Sequence, residues 1–178
     1  MPRARTRQRM IDAAIKVVAK RGFDGASVDE IARAAGFSIG ALYGNFKGKD
    51  DLFLSVYDAH VTWFGEVVAR LDAADPAAAL AASFAQLDEK RAREQFLVFV
   101  EFWSYAVRRP KLRRQLAQRM ATLRAALAEH VGDRAGLPAD TVALLLLATW
   151  RGLALERMAD RDAVDESALG TVLSRTLT

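Results

Sequence analysis

The sequence has no cysteine, and only four prolines and two histidines in 178 residues. The missing thiol excludes disulfide scaffolds, thiolate metal sites and cysteine nucleophiles together. A chain of this length buries about 70% of the surface its unfolded form exposes, so a hydrophobic core holds it without such cross-links. Two histidines, His60 and His130, leave little material for a histidine-centred site. No phosphate-binding glycine loop and no evident carboxylate pair stand beside them. Neither catalysis, nor a metal, nor a cofactor is expected. Long hydrophobic runs are missing as well: the most apolar stretch, VALLLLATW from Val142 to Trp150, falls well short of the ~20 residues that span a bilayer. The basic start MPRARTRQRM leads into no apolar signal core. A cytoplasmic location without a membrane partner is expected. Strand-like alternation is also absent. Apolar residues recur at three and four, which predicts an all-α chain.

Charge is present but unevenly spread. Residues 1 to 50 hold ten Lys/Arg against five acids, and the other 128 hold sixteen against seventeen, so the net +4 divides into +5 and −1. A basic module on a neutral body suggests a polyanionic partner for that module, the alternative being a solvated basic helix.

Helix punctuation predicts about nine helices. The first runs from about Thr6 to Arg21, with Met10, Ala13, Ala14, Val17 and Val18 inward and Gly22 as its stop. Ser27-Val28-Asp29-Glu30 has the form of a capping box and starts a second, short helix that ends at Gly36. A third is expected from Ser38 to Phe46, completing a helix-turn-helix arrangement. A long helix follows from Asp50 to Leu71, with Phe53, Tyr57, His60, Phe64, Val67 and Leu71 in one stripe. Asp75-Pro76 opens a helix to about Arg91. Others cover Arg93–Pro110, the stretch from Pro110 to about Val131, Ala139–Met158, and a last short one from Asp165 to Leu177. The predicted domains are 1–48, helix-turn-helix, and 49–178, a helical body.

The segment GFSIGALYGNFKGKDDL, Gly36 to Leu52, carries the chemistry. On a helical wheel Ile39, Leu42 and Phe46 fall together and are expected to pack inward. Gly40, Ala41 and Gly44 fall opposite, with Tyr43 and Lys47 on one flank and Ser38 and Asn45 on the other. Glycine costs up to ~1 kcal/mol in a helix interior, so two in nine residues ask for a reason. A face without bulk lets the backbone sit deep in a groove, and the B-DNA major groove admits an α-helix between phosphate walls. A weak or irregular helix is the plain alternative.

These residues resemble the DNA-binding signature of the tetracycline-repressor (TetR) family of transcriptional regulators. SVDEIARAAGFSIGALYGNFKGKDDLF matches the pattern T/S-x-x-x-I-A-x-x-A-G followed by L-Y-x-x-F-K-x-K-x-x-L, with Ser27, Ile31, Ala32, Ala35, Gly36, Gly40, Leu42, Tyr43, Phe46, Lys47, Lys49 and Leu52 as anchors. The specific match covers about 50 residues. The remainder is similar to the family in length, helical pattern and the aromatic run FxxEFWxxAxRxPxLR. Many members carry a histidine or aromatic pair between the tyrosine and the phenylalanine. Gly44 and Asn45 stand there in this chain, so operator sequence does not transfer from relatives.

On DNA, Ser27 is expected to hold a phosphate through its hydroxyl and nearby backbone N–H groups. Tyr43, Lys47 and Lys49 are expected at further phosphates, with Tyr43 also within reach of a thymine methyl. Ser38, Ile39, Gly40, Ala41 and Asn45 lie nearest the base edges. Of these, Asn45 alone has the chemistry to read adenine with two hydrogen bonds. Arg3 and Arg5 are expected in a flexible arm over the backbone or minor groove, or in plain disorder. With few polar readers, DNA shape and methyl contacts should carry much of the specificity.

The resemblance implies that residues 49–178 supply a dimer interface and an effector pocket. Leu145, Leu146, Trp150 and Leu153, on the helix 139–158, are the expected dimer residues. His60, Trp63, Phe64, Phe84, Phe99, Phe102, Trp103 and Tyr105 are the expected pocket walls, plain core being the alternative for each. Glu101 is expected to pair with Arg108 or solvent, or to meet a cationic ligand. The implied function is a homodimeric repressor on a pseudo-palindromic operator, released by a small hydrophobic or aromatic effector. The competing reading is a ligand-independent module that holds DNA or docks on a protein.

Overall fold

A computed structural model describes residues 3–69 and 86–165. They form seven α-helices and one 3-10 turn, and no strand beyond an isolated bridge between Arg134 and Leu137 occurs among the described residues. The protein is all-α. The helices are α1 (Arg3–Gly25), α2 (Val28–Ala35), α3 (Ile39–Tyr43), α4 (Lys49–Val68), α5 (Lys90–Val107), α6 (Pro110–Val131) and α7 (Ala139–Ala159), with the 3-10 turn at Gln86–Asp88. The helix expected from Asp75 and the last one after Asp165 lie outside the described residues, except that Gln86–Asp88 is a 3-10 turn and α5 begins at Lys90, earlier than Arg93.

Local chemistry explains the first three helices. Met10, Ala14 and Val18 are fully buried on α1, and Ile11 and Ile15 join them where Val17 was expected. Gly22 interrupts α1 as expected: at φ 71° and ψ 170° it is non-helical, so the regular helix stops there, and the kink before the short turn to Gly25 brings Phe23 into the core. Ser27 caps α2 by accepting the Glu30 N–H at 3.0 Å. Gly36 closes the helix in the left-handed region at φ 76°, its N–H directed at the Ala32 and Arg33 carbonyls. Helix α3 spans five residues, fewer than expected, because Gly44 and Asn45 fall in the turn that follows it.

The chain divides into two compact units, Met1–Trp63 with Arg91–Arg119, and Phe64–Lys90 with Met120–Thr178. In the first, rings from α1, α4 and α5 form a continuous ladder. Phe23 meets Phe53 edge-on at 4.3 Å and stacks on Tyr105 at 5.6 Å. Phe102 lies against Phe23 at 5.5 Å and stacks on Tyr57 at 4.6 Å. His60 continues the series, 5.7 Å from Tyr57 and 5.5 Å from Phe99. Arg119 on α6 clasps Asp58 on α4, and that hydrogen bond holds the guanidinium in its charged form further above its ordinary range. In the second unit, α7 buries Val142, Ala143, Leu146, Leu147, Trp150 and Ala154. Phe64 meets Trp150 edge-on at 5.3 Å. Asp88 takes Arg161 at 2.8 Å and Arg157 at 3.1 Å, and the Arg161 hydrogen bond leads in holding its carboxyl below the usual range. Among the described residues, no helix is long and apolar enough to cross a membrane.

Candidate nucleic-acid interface

The site is built on α3. Ser38 caps it by accepting the Ala41 N–H at 3.1 Å, which uses an oxygen lone pair and leaves the hydroxyl proton for an outside acceptor. Leu42 and Phe46 anchor the segment at 0% and 1% exposure. Arg7 reinforces the anchor, its guanidinium 4.5 Å over the Phe46 ring and 2.6 Å from Ser55 Oγ. Outward stand Ser38, Ile39, Gly40, Tyr43, Gly44 and Lys47, all exposed.

Two of the glycines on that face have no internal reason to be glycine. A Cβ built on Gly40 would meet nothing of the chain closer than Ser38 Oγ at 3.9 Å. One on Gly44 would make ordinary contact at 3.5 Å, and Gly44 has a right-handed helical backbone at φ −70°. The fold therefore tolerates side chains at both places. The bareness of the face concerns what approaches from outside.

Several expectations are corrected. Ile39 does not pack with Leu42 and Phe46; it is 44% exposed, because it opens the helix directly after the cap. Asn45 is not laid out to read a base: its Nδ2 donates to the Ala41 carbonyl at 2.8 Å, sealing the end of α3. Arg3 and Arg5 are not a loose arm but belong to the first turn of α1, and Arg3 Nη2 donates to the Gly44 carbonyl at 3.0 Å. Lys49, half-buried, directs its ammonium at the Phe53 ring, 5.2 Å from the centroid. Ala41 is half-buried; Ser27 is exposed, and its hydroxyl oxygen accepts the Glu30 N–H, which, as at Ser38, leaves the hydroxyl proton for an outside acceptor.

The reading segment is tied to α5 by a contact that sequence spacing does not reveal. Glu101 Oε2 accepts the Phe23 N–H at 3.0 Å, just past the Gly22 kink. Close by, the Tyr105 hydroxyl donates to Asp50 Oδ1 at 3.1 Å, at the start of α4. Burial, and then the Asp50 charge, raise the Tyr105 pKa, so the phenol remains a donor well above neutral pH.

Comparison with known proteins agrees with this geometry. The model of the N-terminal domain of bacterial regulatory proteins of the tetR family matches residues 10–56, and the tetracyclin repressor-like C-terminal domain matches residues 57–178. The chain belongs to the TetR family. The N-terminal match is to the helix-turn-helix part of a family of bacterial regulatory proteins. A TetR-family member from Streptomyces coelicolor is 28% identical with a TM-score of 0.80, the match covering 97% of this chain and 98% of that one. The multidrug binding protein EbrR, solved with ethidium, is 29% identical with a TM-score of 0.74, covering 96% of each chain. Among curated relatives, the transcriptional repressor NicS of Pseudomonas putida is 33% identical over 109 residues, 60% of this chain. The regulator AcrR of Shigella flexneri is 39% identical over 62 residues, 35% of this chain. The matches span 44% and 29% of those two relatives' own length.

In this TetR-family chain the expected pocket residues do not all converge. His60, at 4% exposure, lies 6.1 Å from Trp63 and 5.5 Å from Phe99, with Phe96 next to Phe99 at 5.9 Å. Phe102 and Tyr105 instead pack on Phe23, and Trp103 points outward at 46% exposure. Phe64 packs on Trp150, and Phe84 lies outside the described residues. Gln95 was missed by the sequence reading: it is 5% exposed on α5, and its Oε1 has no hydrogen-bond partner among the described residues. A glutamine inside an aromatic run was the available signal.

The expected dimer residues divide as well. Leu146 and Trp150 are each 3% exposed inside the subunit, and Leu153 is half-buried. Leu144, Leu145 and Leu155 are the exposed apolar side chains of α7, at 49%, 43% and 48%. With Ala148 and Gly152, also exposed, they form one stripe along the helix.

Proposed function

We propose that the protein is a ligand-responsive repressor that binds a pseudo-palindromic operator as a homodimer and is released by a small hydrophobic or aromatic effector. Residues 1–48 are the reader and 49–178 the effector and dimer part. The observation that carries the reading is the outward face of α3, where Gly40 is bare although the chain leaves room for a side chain. In a major groove, Gly40 and Ala41 admit close backbone approach, Tyr43 and Lys47 take phosphates, and Ser38 donates its hydroxyl. Ile39, exposed on that face, adds apolar contact to thymine methyls. The Leu144–Leu145–Ala148–Gly152–Leu155 stripe supports a two-fold dimer, which spaces two readers one turn of DNA apart.

The effector class rests on the aromatic surroundings of His60 and on EbrR, whose solved complexes hold ethidium and malachite green. In this reading a planar ring packs against Trp63, Phe96 and Phe99 as the helices part, and a donor on it meets Gln95 Oε1. From His60 the ring ladder runs through Tyr57 and Phe102 to Phe23, where Glu101 holds the backbone of the reader. A ligand that shifts α4 or α5 thereby shifts the reader, and couplings of this kind are worth about 1–3 kcal/mol.

Gly40→Leu tests the carrying observation. The thermal midpoint should stay within the range of a surface substitution, while affinity for an operator duplex should fall at least about 100-fold through poorer groove fit. Undiminished affinity in a folded Gly40→Leu protein would show that α3 does not enter a groove.

A further inference from the structure

The near-zero charge of residues 51–178 conceals a local excess. From Glu101 to Glu129 the sequence contains no acid, yet Arg108, Arg109, Lys111, Arg113, Arg114, Arg119 and Arg124 fall between them. Arg119 and Arg124 are neutralised by Asp58 and Asp140. The other five, at the corner joining α5 to α6, are all exposed, and no acid pairs with them among the described residues. Arg109 is fixed in place, its guanidinium 3.5 Å over the Tyr105 ring and donating to the Tyr105 carbonyl at 2.8 Å.

This corner is continuous with the basic edge of the reader. A cleft of about 400 Å³ is lined by Lys47, Gly48 and Lys49 on one side and by Lys111 and Gln115 of α6 on the other. Asp50 and Asp51 also line it, but both are engaged: Asp51 accepts the Lys47 N–H at 2.8 Å and Asp50 accepts the Tyr105 hydroxyl. The cations are also placed against local preference. Lys111, Arg113 and Arg114 crowd the N-terminal turns of α6, whose first turn has no acid, although that end of a helix dipole disfavours positive charge. Such an arrangement is relieved by an external anion.

We infer that the α5–α6 corner is a second phosphate-binding surface, with Lys111 and Arg114 extending the grip of Lys47 onto the DNA backbone. The inference rests on the DNA-binding reading above. The occupant is duplex backbone because the cleft places Lys111 beside Lys47 on the reader's edge, and because five cations without an acidic partner among the described residues match a polyphosphate, not a single ion. Contacts of this kind add affinity without sequence preference.

The test is the salt dependence of binding, measured on a duplex enriched by the wild-type protein from genomic fragments and on a scrambled duplex of equal length. Removing one cation from a phosphate flattens the plot of log K against log salt by about 0.9. The double variant Lys111→Gln/Arg114→Gln should flatten it by roughly 2 per subunit bound, weaken both duplexes to the same degree, and leave the preference between them intact. Lys111→Arg/Arg114→Lys should restore the slope. A control pair, Arg91→Gln/Arg93→Gln, exposed at the opposite end of α5, removes equal charge and should change the slope little. An unchanged slope in the first variant, or equal flattening by the control, overturns the inference while the DNA-binding reading stands. A wild type that binds neither duplex overturns both.

Discussion

Replacing Gly22 by alanine is expected to destabilise the protein by about 3 kcal/mol. Gly22 sits at φ 71° and ψ 170°, a region that only glycine enters without strain of roughly 1–3 kcal/mol. The new methyl would also lie 2.8 Å from Glu101 Oε2, the oxygen that accepts the Phe23 N–H. The Glu101 side chain can swing away, but it then abandons a charge-assisted hydrogen bond worth about 1.5–3 kcal/mol. Because the two penalties share one carboxylate, they are coupled. Glu101→Ala alone should cost about 1.5–3 kcal/mol. Gly22→Ala made in the Glu101→Ala background should cost less than it does in the wild type, leaving mainly backbone strain. Urea unfolding curves check this, through midpoints that fall at unchanged slope. Simple additivity would mean that the carboxylate and the kink act independently.

The second large effect is expected at Leu145. The leucine is 43% exposed on α7, so aspartate there should alter the stability of the isolated subunit by no more than about 0.5 kcal/mol. In a two-fold dimer the same change counts twice and places two carboxylates in an apolar seam. Loss of leucine burial on both sides, with the cost of desolvating the charges, should raise the dimer dissociation constant at least about 1,000-fold, some 4 kcal/mol. Light scattering should then report a mass near the 19.5 kDa of one chain, instead of twice that value. Operator affinity should fall with it, since linking two half-site contacts multiplies affinity by about 10²–10⁴. Trp150→Ala, by contrast, should act inside the subunit, because Trp150 is buried against Phe64. A dimer that survives Leu145→Asp would place the interface elsewhere.

What was legible in the sequence was local. Ser27 and Gly36 punctuate α2 by backbone chemistry that acts over a few residues, and the structure follows both. The signature around α3 identified the family for the same reason. The wheel drawn over residues 38–47 misplaced Ile39 and Asn45 because α3 is five residues long, and 100° spacing has no meaning beyond its ends. On α7 the difficulty was different. Where nearly every position is apolar, no polar face marks the outside, so Leu144 and Leu146 could not be told apart until packing partners were known. Adjacent aromatics raised the same problem on α5: Phe102 is fully buried and Trp103 is 46% exposed. Glu101 was beyond local reading altogether, since its partner Phe23 is 78 residues away. The basic corner was hidden by averaging, because seventeen acids elsewhere cancel it in the net charge.

Direct titration of purified protein onto duplex DNA at modest ionic strength, with random duplex as competitor, tests the DNA-reading role of α3 most directly. Fragments enriched from genomic DNA are expected to bind at least about 1,000-fold more tightly than random sequence, and to share a pseudo-palindrome with half-sites one helical turn apart. Equal affinity for every duplex, at every salt concentration that keeps the protein folded, would contradict that role.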